Sequence, residues 1–412
     1  MTQPTSVKQT FDTLGVAPKL LSILQSKKFI TPTPIQRQCI PEALKGKDIV
    51  GIAQTGTGKT LAFGLPLVQR LVSGGGQALV LVPTRELAIQ ADEMICKIGS
   101  SLGIKTAIII GGAPAFRQMK ELRNKPDIVI ATPGRLLDHL ARKNFSLHKI
   151  TAVVLDEADR MFDIGFLPDI EKILSMIPQK KQILLFSATI PDAIIQIANR
   201  FMDQPVRIEI APSGTTLANI EQEIFIIDRG SKLSLLEKVL SDNEGSVIIF
   251  SRTKAMTKKI AKAVCVMGHS AVEIHSERSL YQRKEAMAGF KTGKYKVLAA
   301  TDIAARGIDV KGVSLVINYD LPDSSGDYVH RIGRTGRAGM NGKAISFATP
   351  DQRGNIKQIE RLIRKNISTP VLPKLERTSE SVIRVLQTRD VPERSFKKFN
   401  SQRFSSRNQR RR

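Results

Sequence analysis

Short apolar runs, most of them rich in Val and Ile, decide what this chain can become. Six lie in the first half: Ile49 to Ala53, Ala78 to Val82, Thr106 to Ile110, Ile128 to Ala131, Ala152 to Leu155 and Ile183 to Phe186. Six lie in the second: Ile224 to Ile227, Val247 to Phe250, Ala271 to Ile274, Lys296 to Ala300, Leu315 to Asn318 and Ala344 to Ala348. Continuous apolar strands separated by helix-length segments are the pattern of a parallel sheet covered on both faces. Leu233 to Leu240 and Thr257 to Met267 fit helices by their 3–4 spacing. The same rhythm runs twice in 412 residues, too many for one ordinary core. The expected class is therefore α/β with two similarly built domains, 1–210 and 219–370. Between them, at 211–218, Ala211-Pro212-Ser213-Gly214-Thr215-Thr216 has the composition of a flexible linker.

Residues 371–412 are expected to form a basic, largely disordered extension. From Arg394 onward there is no acidic residue, and Phe396, Phe399 and Phe404 sit among Lys and Arg. Stacking rings beside cations suit a single-stranded nucleic acid, whereas a solvated terminus is the plainer reading. The whole chain carries 63 Lys and Arg against 38 Asp and Glu, a net of +25. That surplus points to a polyanionic partner. No apolar run approaches the roughly 20 residues that span a bilayer, and Met1 to Thr5 does not open a secretory signal. Cys39, Cys96 and Cys265 lie far apart and form neither a metal pair nor a disulfide framework. A soluble protein of the reducing cytoplasm, with no membrane partner, is expected.

The run Ile49 to Ala53 leads into Gln54-Thr55-Gly56-Thr57-Gly58-Lys59-Thr60. Glycines here let successive N–H groups and a helix start converge on one anion. Lys59 would reach the β- and γ-phosphates, and the Thr60 hydroxyl would ligate Mg²⁺. Ala53 stands where the strict phosphate-loop pattern has Gly. Ala152 to Leu155 is followed by Asp156-Glu157-Ala158-Asp159. Asp156 is placed to hold magnesium through water, and Glu157 to orient and deprotonate an attacking water. A helix cap would also put acids after a strand, but not two carboxylates downstream of a phosphate loop. Asn124-Lys125-Pro126-Asp127 matches a guanine-specificity tetrapeptide, yet it precedes a strand instead of following one. It reads as a turn.

Taken together, these blocks resemble the DEAD-box family of RNA helicases over roughly residues 9 to 350. The resemblance implies two tandem RecA-like domains. Phe29-Ile30-Thr31-Pro32-Thr33-Pro34-Ile35-Gln36, with Phe11 upstream, is similar to the family's Q motif; Lys28 replaces its usual Gly. By resemblance Phe29, Thr31 and Gln36 contact the nucleotide. A carboxamide suits the N6/N7 edge of adenine and mismatches guanine. Thr84 and Arg85, Gly112, and Thr132, Gly134 and Arg135 fall in the family's RNA-contacting blocks. Ser187-Ala188-Thr189 resembles the motif that couples ATP state to unwinding, with Asp159 and His330 as its partners.

In the second half, Thr253, Arg283 and Thr301 fall at RNA-contacting positions, and Asp309 at the ATP ribose. Arg334 and Arg337, in His330 to Arg337, would be arginine fingers on the γ-phosphate. His275-Ser276-Glu277-Arg278 departs from the family's usual His-Gly-Asp. The implied activity is ATP-dependent bending and local unwinding of short RNA duplexes, with ATP and Mg²⁺ as cofactors. The compact core and short extension look most like the RhlE-like branch, which implies ribosomal or RNA-decay assemblies and a monomer. A clamp or annealing chaperone, and a DNA translocase of the same superfamily, are the competing readings.

Overall fold

The computed structural model describes residues 10–53, 56–210, 219–302, 313–336, 341–376 and 379–387. Expectations placed on Gln54, Thr55, Asp309, Arg337, the 211–218 linker and the 394–412 tail lie outside the described residues. Two sheets form, and every strand pairing in them is parallel.

The first sheet contains β1 (Ile49–Ile52), β2 (Gln77–Leu81), β3 (Thr106–Ile109), β4 (Ile128–Ala131), β5 (Ile150–Leu155), β6 (Gln182–Ser187) and β7 (Val206–Glu209). Its order is β3-β4-β2-β5-β6-β1-β7. The second contains β8 (Ile220–Ile226), β9 (Val247–Phe250), β10 (Ala271–Ile274), β11 (Val297–Ala300), β12 (Leu315–Asn318) and β13 (Gly342–Ala348). Its order is β10-β11-β9-β12-β13-β8.

The Val/Ile runs are buried on both faces because each strand supplies alternate residues to two cores. In the first half Ile49, Val80, Ile130 and Val154 pack in one cluster, and Val50, Leu81, Val129 and Val153 in the other. In the second half Ile248, Leu298 and Val316 oppose Val247, Ile249, Val297 and Ile317 in the same way. Helices cover both faces, as expected for RecA-like domains. The expected helix Leu233 to Leu240 is observed as Lys232–Ser241, and Thr257 to Met267 as Lys254–Val266.

Two elements depart from the sequence reading. β7, at the edge of the first sheet, was not expected; in Val206-Arg207-Ile208-Glu209 only Ile208 is buried, so the segment carries no apolar run. The extension is not unstructured from residue 371. A helix, Glu380–Gln387, docks on the Lys254–Val266 helix and buries Val382, with Val385 packed beside it. Spacing of three between these two valines gives the short helix one apolar face. Among the described residues no helix is long and apolar enough to cross a membrane.

Candidate functional site

Ligands of open parallel sheets collect beyond the carboxyl ends of the strands, and the first sheet divides that edge in two. The adjacent strands β1, β6 and β5 end in the phosphate loop, Ser187 to Thr189, and Asp156 to Asp159. The strands β2, β4 and β3 end in Pro83 to Leu87, Thr132 to Arg135, and Gly111-Gly112.

On the first side, Gly56 (φ 84°) and Gly58 (φ 91°) take left-handed backbone that lets the loop turn into the Lys59–Val72 helix. Lys59 is buried, and its Nζ donates to the Ala53 carbonyl at 2.9 Å. Thr60, the second residue of that helix, is half-buried. Gln36 is buried too. Its Oε1 accepts from Thr33 N at 2.9 Å and its Nε2 donates to Gly58 O at 3.0 Å, which ties the Q-like segment to the loop. Phe29 packs against the adjoining core, while Thr31 is exposed. Lys28 adopts φ 62°, so it accepts the left-handed turn for which the family uses Gly. A Cβ on Gly58 would collide with the Gln36 amide. Left-handed backbone also costs a non-glycine residue about 1–2 kcal/mol. Gly58→Ala should therefore weaken ATP binding by roughly tenfold or more, measured by titrating a fluorescent ATP analogue. Unchanged affinity would show that the loop does not need this conformation.

Asp156 and Glu157 are both buried. Burial pushes the Asp156 carboxyl up to about 6, against the pull of Lys59 and with the Glu157 charge adding to the rise. A carboxylate in that position gains from a cation, so Asp156 with Thr60 fits a Mg²⁺ ion. Among the described residues no cluster of three or more His, Cys, Asp or Glu could hold a metal.

Glu157 has φ 53°, a strained conformation for a residue with a side chain. Its Oε2 accepts from Arg160 NH1 at 2.7 Å, and Arg160 is fully buried. Among the described residues, the Nε and NH2 of Arg160 have no hydrogen-bond partner. Asp159 Oδ2 accepts from Ala188 N (3.1 Å), Thr189 N (2.9 Å) and Thr189 Oγ1 (3.0 Å). The same oxygen lies 4.0 Å from His330 Nε2, across the junction between the halves. Asp159, Thr189 and His330 are thus brought together. Ser187 lies fully buried at the end of β6.

On the second side, Thr84 caps the Arg85–Gly99 helix by accepting from Leu87 N at 3.3 Å. Gly112 (φ 75°) lies so close to the Arg85 guanidinium that a Cβ would overlap it. Arg135 donates to Gln118 Oε1 (3.2 Å) and to the Ala113 carbonyl (3.0 Å). Thr84, Arg85, Gly111, Arg135 and Phe166 line a groove of about 330 Å³, closed by Ser276 and Arg283 of the second half, and Gly112 adjoins it without lining it. Thr132 and Gly134 also line it. Arg283 reaches Glu86 at 3.0 Å in a largely buried ion pair. Thr253 and Thr301 are not among the lining residues. Thr253 accepts from Met256 N at 3.1 Å as a helix cap, and Thr301 follows β11.

The cationic run of the second half separates by role. Arg331 bonds both oxygens of Asp302, at 2.5 and 2.7 Å, and also reaches Asn318 Oδ1 and the Asp320 carbonyl. It holds the end of the Ser325–Ile332 helix in place. Arg334, buried just beyond that helix, lines a small gap between the halves with Arg160 and His330.

Three participants escaped the sequence reading. Arg160 holds Glu157 from one helical turn on, a spacing that was visible in the sequence. Glu86 stands beside Arg85 but has meaning only through Arg283. Phe166 reaches the groove from a loop with no sequence signal.

The first half matches the DEAD/DEAH box helicase family over residues 33–197, and the second the helicase conserved C-terminal domain over 231–339. The chain is 43% identical over 380 residues to the DEAD-box ATP-dependent RNA helicase CshA of Bacillus cereus, covering 92% of this chain and 72% of that protein. It superposes on Dbp5 of S. cerevisiae, solved with RNA and ADP BeF3, with a TM-score of 0.78 and 33% identity, covering 89% of this chain and 96% of that one. Mss116, solved with ssRNA and AMP-PNP, gives a TM-score of 0.82 at 26% identity, covering 94% and 84%. Nothing in these matches singles out the RhlE-like branch. With an ATP-type loop, the Asp156 to Asp159 string and both helicase segments in order, this chain belongs to the DEAD-box family of ATP-dependent RNA helicases.

Proposed function

We propose that the chain binds ATP on the β1-β6-β5 side and a single RNA strand on the β2-β4-β3 side, and that closing the two halves bends that strand. A bent strand cannot remain in a duplex, so short helices open locally, with little sequence preference. The observation that supports this most is the groove whose walls come from both halves, together with the 4.0 Å approach of His330 to Asp159. Thr hydroxyls, guanidinium groups and close glycine backbone suit phosphate and sugar, which carry no sequence information.

In this reading Lys59 and the loop from Ala53 to Thr60 hold the phosphates, and Gln36 and Phe29 hold adenine. Gln36 keeps a second N–H and a second oxygen lone pair for the adenine edge while it bonds Gly58 and Thr33. Thr60 and Asp156 are the residues that would hold Mg²⁺, which supplies charge neutralisation at the phosphates. Glu157 accepts the proton of the attacking water, and Arg334 and Arg337 meet the γ-phosphate from the second half. Asp309 takes the ribose, and Thr253, Thr301 and Arg283 extend the strand path. The finer setting we propose is a cytoplasmic monomer that acts on RNA in ribosomal or decay assemblies.

Single-stranded RNA should raise ATP turnover by at least about tenfold, well within what assembling an arginine-finger site supplies. DNA of the same sequence should raise it far less. Equal stimulation by both would overturn RNA as the substrate.

A further inference from the structure

Hydrophobic side chains left in water are ordinary when scattered, and informative when they gather at a binding surface. Among the described residues, two aromatic rings are prominently exposed: Phe116 at 72% and Tyr281 at 77%. Each is the second residue of a helix, Phe116 in Ala115–Arg123 and Tyr281 in Leu280–Lys291. The helices belong to different halves, yet both begin at the same groove.

Phe116 follows the Gly111-Gly112 turn, and Gly111 lines the groove. The Ala113 carbonyl between them accepts from Arg135, another wall residue. On the other side, Leu280 packs against the core of the first half, and Arg283 bonds Glu86 in the groove wall. These two contacts fix the first turn of the helix, so Tyr281 is held exposed within two residues of the groove-lining Arg283. Arg117, Lys120 and Lys284 are exposed on the same two helices, beside the exposed Glu121 and Glu285, so each ring has a cation within about one helical turn.

We propose that Phe116 and Tyr281 form a divided base-stacking site for RNA that continues beyond the groove. Bases of the strand stack on the two rings while the neighbouring cations take its phosphates. Every base has a π face, so such a site lengthens the footprint without adding sequence preference. Because each half contributes one ring, the site is complete only when the halves meet. Strand length is then sensed chiefly in the ATP-bound state. The proposal rests on the reading of the groove as an RNA path.

The test uses the full chain with a non-hydrolysable ATP analogue and two uridine strands, one that fills the groove and one several nucleotides longer. A fluorescent purine in the extra segment reports stacking. Phe116→Ala and Tyr281→Ala should each weaken the longer strand by roughly fivefold or more and abolish the stacking signal. Affinity for the short strand, and the ATPase it stimulates, should be unchanged. Phe116→Trp and Tyr281→Phe should retain both properties. Longer-strand affinity unaltered in the alanine variants overturns the proposal, as does an equal loss on both strands. If the wild-type protein binds neither strand in an ATP-dependent way, the helicase reading itself fails and takes this inference with it.

Discussion

Glu157→Gln is expected to lower the kcat of RNA-stimulated ATP hydrolysis by about 10²–10⁴-fold, the usual contribution of a positioned general base. Glutamine keeps the size of the side chain and can still accept from Arg160 through its carbonyl oxygen. It cannot take a proton from water. The phosphate loop, Asp156 and the groove are untouched, so ATP and RNA affinities should stay near wild type. The complex of ATP, RNA and protein should dissociate slowly, because the hydrolysis that reopens the halves is blocked. Single-turnover kinetics, with anisotropy of labelled RNA, separates the two effects. Rapid turnover in the variant would remove Glu157 from the role proposed for it.

The same substitution carries a cost in stability that the sequence did not announce. Arg160 is fully buried, and among the described residues its side chain bonds the Glu157 carboxylate alone. Neutralising that carboxylate leaves a buried guanidinium without its counter-charge, which is among the more destabilising changes a single residue can make. A lower Tm alongside retained ligand binding is therefore expected.

Much of the fold was legible because it rests on local pattern. A continuous Val/Ile run such as Val247 to Phe250 or Ile128 to Ala131 has one comfortable place, a strand buried on both faces. β7 was not legible, since its only core residue is Ile208. The Glu380–Gln387 helix was missed because a short apolar stripe, Val382 and Val385 within it, gains meaning only where the second half offers a surface. At the candidate site, Lys59, Asp156, Glu157, Thr84 and Arg135 were legible as candidates because their neighbours in sequence remain their neighbours in space at the strand ends. What was hidden is what the tertiary fold pairs. Glu86 meets Arg283 from the other half, and Gln36, assigned from sequence to adenine alone, also secures Gly58.

Arg334→Ala should reduce RNA-stimulated hydrolysis more than any other change, by roughly 10³–10⁵-fold if this residue is the arginine finger. Its position follows from its neighbours. Arg331 is locked by Asp302, Asn318 and Asp320, so the end of its helix cannot drift. His330, one residue earlier, lies 4.0 Å from Asp159 of the first half. Arg334 N donates to the carbonyl of the anchored Arg331 at 3.1 Å, so Arg334 is delivered to the gap that Arg160 also lines. Arg160 in turn touches Glu157, so the guanidinium of Arg334 enters beside the carboxylate proposed to activate water. ATP binding without RNA should change little, because the phosphate loop lies wholly in the first half. Arg334→Lys should recover only part of the rate, since a point charge lacks the planar fork of donors. Arg331→Ala is the contrasting control: it removes a buried anchor and should lower Tm before it affects chemistry. If Arg334→Ala instead lowered Tm and left RNA-stimulated turnover intact, Arg334 would be an anchor as well, and the charge meeting the γ-phosphate would have to come from elsewhere in the second half.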